Sequence, residues 1–405
     1  MSRGMRRGLV TTAGAAVVAF VAMSAMGGVK RSGEQAKGPR RQPTPVANLY
    51  PAGHIEFSAP PPISVAVGTQ CDTDGNIYLR IGPPYEVASQ FIRDHIPLSI
   101  PLTKLVIDSR TTVTFRAGSA QGYTRFNSVA FYVTPSGRVY NLGSACRQGT
   151  DCKKRRDEVW VVTKYDHDGS VDSVVRLRAH TPEGESLILV HLAAFQNGNL
   201  LAAGETESSD GELKPFTGVF YGDGGFLSNL TLPHDVSVPH LAVEEGSVGK
   251  ATRPRPSART ESKGARAFVQ FDRAVVEGLL IGSPDGTIYL LRGGSPARLY
   301  VVASDGGVLR EQDIKTPRSG LTPFSASVNG QGQLVIFYIH LPSPRDSGQY
   351  QALALVDPQS GKVIATYKVP PRAGVPACMT SQGVFLFTRE GKSGHLEVAQ
   401  YTVGQ

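Results

Sequence analysis

From about Leu49 onward, apolar residues fall in short runs broken by glycine-containing turns, and no long stretch shows the spacing of an amphipathic helix. One unit recurs as a turn followed by a β-rich run. It appears as Thr73-Asp-Gly-Asn-Ile-Tyr-Leu79, Pro135-Ser-Gly-Arg-Val-Tyr140, Gln196-Asn-Gly-Asn-Leu-Leu201, Pro284-Asp-Gly-Thr-Ile-Tyr-Leu290, Gln331-Gly-Gln-Leu-Val-Ile336 and Ser381-Gln-Gly-Val-Phe-Leu386. Each copy follows another apolar run, so each predicts a hairpin. The Asp-Gly and Asn-Gly steps supply the positive φ that a tight hairpin turn needs.

A second unit alternates with the first: Val161 to Val175 around Asp168-Gly169, Phe216 to Leu230 around Asp223-Gly224, Leu299 to Leu309 around Asp305-Gly306, and Ala352 to Val369 around Ser360-Gly361. Leu105 to Phe115, around Asp108-Ser109, fills the same slot without a glycine. Two hairpins in alternation make a four-stranded antiparallel sheet, repeated along the chain with irregular loop lengths. The last copy is short of one strand, because only Leu396 to Val403 follows Arg389. Gly53 to Pro60 matches the outer strands that begin at Gly169, Gly307 and Gly361, each starting with Gly, and is the candidate to complete it. The expected fold is an all-β, six-bladed β-propeller over residues 49–405, closed by an N-terminal outer strand that leaves no free sheet edge. A seven-bladed ring is the alternative, since Val236 to Val276 is long enough to hold a further blade; a pair of β-sandwiches would not demand alternating hairpin types.

On these turn motifs the chain resembles the broad group of six-bladed propellers that includes the NHL-repeat and SMP-30-like proteins. The SMP-30-like members hold a metal in the central channel with Glu, Asn and Asp. The resemblance therefore implies a hydrolase or lactonase as the alternative to a non-catalytic binding module. Glu183, Glu185 and Asp272 lie near the starts of inner strands, but no motif selects them as ligands. The nine histidines are scattered without metal-ligand spacing, and neither a Gly-x-Ser-x-Gly elbow nor a phosphate-binding glycine loop is present. No motif names a catalytic residue, a metal site or a cofactor, which stays unknown.

The segment before the repeats changes where the protein is expected to work. Arg3, Arg6 and Arg7 precede an apolar run from Leu9 to Met23, and small residues follow to Gly27, which is the build of an export signal over residues 1–27. Residues 9–29 also suffice for an uncleaved anchor, the only membrane contact expected. Residues 28–48 are rich in Lys, Arg, Gly, Pro and Gln and read as a disordered linker. The body is thus placed in the periplasm or outside the cell, where disulfides persist. Of the four cysteines, Cys146 and Cys152 bracket a short loop that suits a local bond. Cys71 and Cys378 precede equivalent strands of the first and last repeats, which ring closure makes neighbours. A bond across that seam and two separately buried thiols both remain open.

Charge supplies the last expectation. The 405-residue chain carries a formal net charge of +8, and Arg80, Arg292 and Arg389 each follow the second strand of a repeat. Lys153 to Arg156, Arg345 and a basic, flexible insertion at about 240–267 add to the same sign. Gathered on one rim, such charge would attract an anionic partner: a polysaccharide, an acidic protein surface or another polyanion. Basic loops also simply solubilise proteins. Nucleic acid is not expected as a partner, because the basic runs lack interleaved aromatics for base stacking.

Overall fold

The structure is a computed structural model describing residues 46–59, 69–80, 101–116, 122–149, 158–179, 186–208, 213–230, 232, 241–244, 247–250, 278–294, 296–318, 320–340 and 351–404. Strand β1 (Val46–Phe57) comes first in the chain. A first sheet contains β2 (Gln70–Cys71), β3 (Ile77–Arg80), β4 (Leu102–Val106) and β5 (Thr111–Phe115). A second contains β6 (Tyr123–Val133), β7 (Val139–Arg147), β8 (Glu158–Tyr165) and β9 (Val171–Arg176). The third holds β10 (Ser186–Ala194), β11 (Leu200–Glu207), β12 (Leu213–Phe220) and β13 (Phe226–Asn229). Strands β14 (Leu241–Glu244) and β15 (Ser247–Lys250) form a separate hairpin. The fourth four-stranded sheet comprises β16 (Leu279–Gly282), β17 (Ile288–Arg292), β18 (Ala297–Val302) and β19 (Val308–Ile314).

An eight-stranded sheet ends the chain. Its early half is β20 (Leu321–Val328), β21 (Leu334–His340), β22 (Gln351–Asp357) and β23 (Lys362–Lys368). Its late half is β24 (Val375–Met379), β25 (Phe385–Glu390), β26 (Leu396–Val403) and the N-terminal β1. Strand β1 joins the halves by changing partner. Val46, Ala47 and Asn48 pair in parallel with Thr366, Tyr367 and Lys368, and Leu49 to Phe57 then run antiparallel to Val403 to Leu396, with an irregularity between Pro51 and Gly53. The strand expected at Gly53 to Pro60 therefore pairs as the outer strand of the late half, but it begins at Val46, inside the stretch read as linker.

The local turns follow from the sequence. Gly75, Gly137, Gly198, Gly286, Gly332 and Gly383 all adopt φ between 76° and 89°, the left-handed geometry that closes the inner hairpin of each set. In the first sheet, where the second turn lacks glycine, Arg110 takes that geometry at φ 55°.

Packing between sheets runs in a closed order. Tyr78 and Phe115 of the first sheet meet Phe131 and Tyr165 of the second. Leu142 and Val162 of the second, Leu200 and Phe220 of the third, and Leu290 and Tyr300 of the fourth share one cluster. Tyr289 and Leu299 pack on Ile336 and Tyr338 of the early half. Phe337 and Leu353 pack on Phe385 and Phe387 of the late half, and Leu386 and Val398 return to Ile77 and Leu79 of the first sheet. Four-stranded antiparallel units, each buried against its neighbour and the last against the first, form an all-β propeller arrangement.

The stretch weighed as a further blade is not interposed where the third and fourth sheets meet. Ser228 Oγ donates to the Asp305 carbonyl at 2.8 Å and Asn199 Nδ2 to the Ser304 carbonyl at 2.9 Å, so these two sheets touch directly. Within that stretch the described residues form only the β14–β15 hairpin. Where the late half meets the first sheet, Cys71 and Cys378 are joined by a disulfide with 6.1 Å between Cα atoms.

Candidate functional site at the seam of the first and second sheets

The three arginines singled out from the sequence end equivalent strands but do not share a face. Arg80 is the fifth residue after Gly75, whereas Arg292 and Arg389 are the sixth after Gly286 and Gly383. Side chains alternate along a strand, so this one-residue offset sends them to opposite faces of their sheets. Arg80 shares its face with Tyr78 and points at the second sheet. Arg292 shares the face of Leu290, which packs toward the third sheet, and Arg389 that of Phe387, which packs on the early half of the eight-stranded sheet.

Their surroundings differ as much. Arg389 donates to Glu397 through Nε at 2.8 Å and through Nη2, and its Nη1 reaches the Arg372 carbonyl at 3.2 Å. Glu397 is buried, so this guanidinium is neutralised within its own sheet. Arg292 is half-buried and lies opposite Arg298, whose own guanidinium is engaged by Glu311 at 3.0 Å and Asp313 at 3.5 Å.

Arg80 has no carboxylate beside it among the described residues. It is only 8% exposed, and its Nη2 donates to Asn141 Oδ1 at 2.9 Å while Nη1 makes a long contact of 3.4 Å to the Ser128 carbonyl. Ser128 Oγ donates to the same Asn141 Oδ1 at 2.6 Å, and the guanidinium lies 5.7 Å from the Phe131 ring centroid. Its Nε is buried with no hydrogen-bond acceptor among the described residues. Loss of hydration lowers the Arg80 pKa to about 10, so it remains a cation at neutral pH.

The turn end of the same seam carries a second polar group that sequence reasoning did not find. The buried Asp72 carboxylate accepts from Asn76 N at 2.9 Å, from Asn76 Nδ2 and from Tyr78 Oη at 2.9 Å, with Lys104 Nζ at 3.6 Å. Burial, together with the Asp72 charge, pushes the Tyr78 phenol far above its usual range. Thr73 N and Oγ1 reach the Pro135 carbonyl, and the Gln70 amide bridges Phe131 O and Val133 N at 2.7 Å each. This group is saturated and ties the first two sheets together. Its signal was present as Asp72, Asn76 and Tyr78 around one turn, but the partners lie about sixty residues away in sequence.

Cys146 is buried in β7 and disulfide-bonded; Cys152 lies outside the described residues. So do Glu183, Glu185 and Asp272, as well as Lys153 to Arg156, Arg345 and most of the basic insertion. Among the described residues no three His, Cys, Asp or Glu side chains are grouped to hold a metal, and no helix is long and apolar enough to cross a membrane.

Strand pairing and cyclic packing thus define the class as an all-β chain in a propeller arrangement. No protein-family model matches the chain, and no curated protein matches it. Among solved structures it is similar to an unknown-function protein from Dyadobacter fermentans, at 11% identity and TM-score 0.46, covering 88% of this chain and 100% of that one. It is also similar to an α-L-arabinanase from Penicillium chrysogenum, at 11% identity and TM-score 0.42, covering 87% and 98%. A virginiamycin B lyase from Staphylococcus aureus matches at 9% identity and TM-score 0.37, covering 87% and 99%.

Proposed function

We propose that the chain is an exported six-bladed β-propeller that acts as a non-catalytic binding or scaffold module for an anionic partner, a polysaccharide or an acidic protein surface. Six repeated four-strand units, direct contact between the third and fourth sheets, and β1 as the outer strand of the late half support the blade count. The turn texture supports a likeness, within propellers, to the NHL-repeat and SMP-30-like group. The N-terminal basic and apolar pattern, together with the Cys71–Cys378 bond, supports a periplasmic or secreted body.

The observation that carries the reading is Arg80. A buried cation with no carboxylate beside it among the described residues is an electrostatic deficit that an arriving anion would reduce. Arg292 adds the same sign at another seam, whereas Arg389 would contribute only by exchanging Glu397 for the partner. The test is retention of the purified chain on an anionic polysaccharide resin over a salt series. Retention should fall steeply with salt, and replacing Arg80, Arg292 and Arg389 by Ala should weaken it and flatten the salt dependence. Unchanged retention in that variant removes the arginines from the reading. A stoichiometric, tightly held divalent metal found by elemental analysis would count against a binding-only role.

A further inference from the structure

The chain enters its fold beside an exposed apolar patch. Val46, Tyr50, Ile364 and Val403 are between 39% and 52% exposed and make up four of the seven exposed large apolar side chains among the described residues. Strand pairing brings them together. In β1, Ala47 and Leu49 turn into the cluster that holds Tyr367 and Phe387, so Val46, Asn48 and Tyr50 stand on the outer side. Val403 is the partner of Leu49, and Ile364 precedes Thr366, the partner of Val46, by two residues. Where β1 leaves β23 for β26, Ala47, Asn48, Tyr50, Val403 and Gly404 line an open cleft of about 380 Å³. The Tyr50 ring lies against Gly404, at which a Cβ would stand 2.5 Å from it. Two exposed lysines flank the patch: Lys368, the partner of Asn48, and Lys362, at the start of β23.

The route of the chain says what covers such a patch. Residues 9–29 suffice for an anchor, and residues 30–45 separate them from Val46, a span of at most about 55 Å at full extension. In an anchored chain the patch surrounds the point where the tether meets the body, so it faces the bilayer at an effective concentration on the order of millimolar. A tyrosine ring among aliphatic side chains, with lysines at the edge, suits the boundary of an anionic leaflet, where aromatic rings sit at headgroup level and lysines meet phosphates. We propose that Val46, Tyr50, Ile364 and Val403 form a surface that seats the body on an anionic lipid bilayer, with Lys362 and Lys368 on the headgroup phosphates. The surface rests on the exported reading in its anchored form and adds a second membrane contact to the anchor.

The experiment uses the full chain carrying Tyr50→Trp on vesicles of phosphatidylcholine and phosphatidylglycerol. The one native tryptophan, Trp160, is buried and donates to the Leu187 carbonyl, so the new indole dominates any change in emission. Its emission should move to the blue on the vesicles and fall by about half when the lipids carry bromine on the upper acyl chain. Adding Val46→Ser and Val403→Ser should abolish both effects while the thermal midpoint and retention on the vesicles through the anchor stay as they were. Lys362→Gln with Lys368→Gln should weaken the quenching, as should vesicles of phosphatidylcholine alone; equal quenching there would overturn the anionic assignment. A chain held on vesicles against high salt, with the new tryptophan neither shifted nor quenched, would overturn the seating surface and leave the anchor. Absence of any vesicle binding would remove both. A blue shift that grows with protein concentration in the absence of lipid would give the patch to a second copy of the chain instead. Retention on a polysaccharide resin enters none of these readouts, so the anionic-partner reading stands or falls separately.

Discussion

Replacing both Cys71 and Cys378 by Ala tests how much of the ring's stability comes from the seam between the late half and the first sheet. The bond joins residues 307 apart in sequence. In the chain-entropy account, a loop of that length restricts the unfolded chain by about 5 to 6 kcal/mol, whereas removal of native disulfides typically costs about 2 to 5 kcal/mol. The lower range is the expectation, because β1 holds the same seam through its pairing of Leu49 to Phe57 with β26. For a domain of this size that corresponds to a fall of about 3 to 7 °C in the thermal midpoint. The location of the loss is the sharper test. Strand β2 is two residues long, tied on one side by the disulfide and on the other by the Gln70 amide, so it should be freed first. Amide hydrogen exchange should therefore accelerate in β1, β2 and β24 while the third and fourth sheets keep their protection. A midpoint within about 1 °C of the wild type, or protection lost evenly around the ring, would refute the claim that this bond guards a local seam.

Other outcomes follow from single sites. Gly204→Ala should fail to yield soluble protein or should lose several kcal/mol, because a Cβ there would stand 1.9 Å from the Ile188 carbonyl oxygen on the neighbouring strand; soluble yield and thermal midpoint check it. Tyr78→Phe should cost about 1 to 2 kcal/mol in denaturant unfolding, since it withdraws a donor from the buried Asp72 carboxylate. Tyr78, Tyr132 and Tyr338 all have phenols raised by burial above the ordinary 10.0. Each holds its proton in the folded chain after the unfolded chain has lost it, so their contribution is complete below pH 10 and is lost as pH rises beyond it. The full phenolate absorbance of the chain should be reached only with unfolding, and its completion in a still-folded protein would contradict the buried assignment.

The hairpin alternation and the outer strand near Gly53 were legible because tight turns demand particular residues and strands repeat with period two. The seam cysteines were legible only as candidates, since sequence equivalence does not fix a distance between Cα atoms. What composition concealed at Val46 to Asn48 is a backbone effect: parallel pairing with β23 needs peptide groups and little apolar burial, and Val46 is 51% exposed. The arginines illustrate a different limit. Arg80, Arg292 and Arg389 look alike as basic residues after a strand, yet counting from the turn glycine separates their faces. The bond from Arg80 to Asn141 depends on how two sheets meet, and no local pattern announces it. The Asp72 group was missed for the same reason, because its links to Gly137 and Pro135 belong to the neighbouring sheet.

The change of partner along β1 also orders events in the life of the chain. This strand is synthesised before any sheet, yet its long partner β26 is made last and its short partner β23 shortly before. Every other sheet can assemble from strands close in sequence, but the seam must wait for the C-terminal strand, making closure the slow, non-local step. A nascent or truncated chain that lacks Leu396 to Val403 would keep β1 and β25 as exposed edges open to proteases and to other chains. The feature that seals the ring thereby delays its closure, because β1 finds its full partner only when β26 has been made.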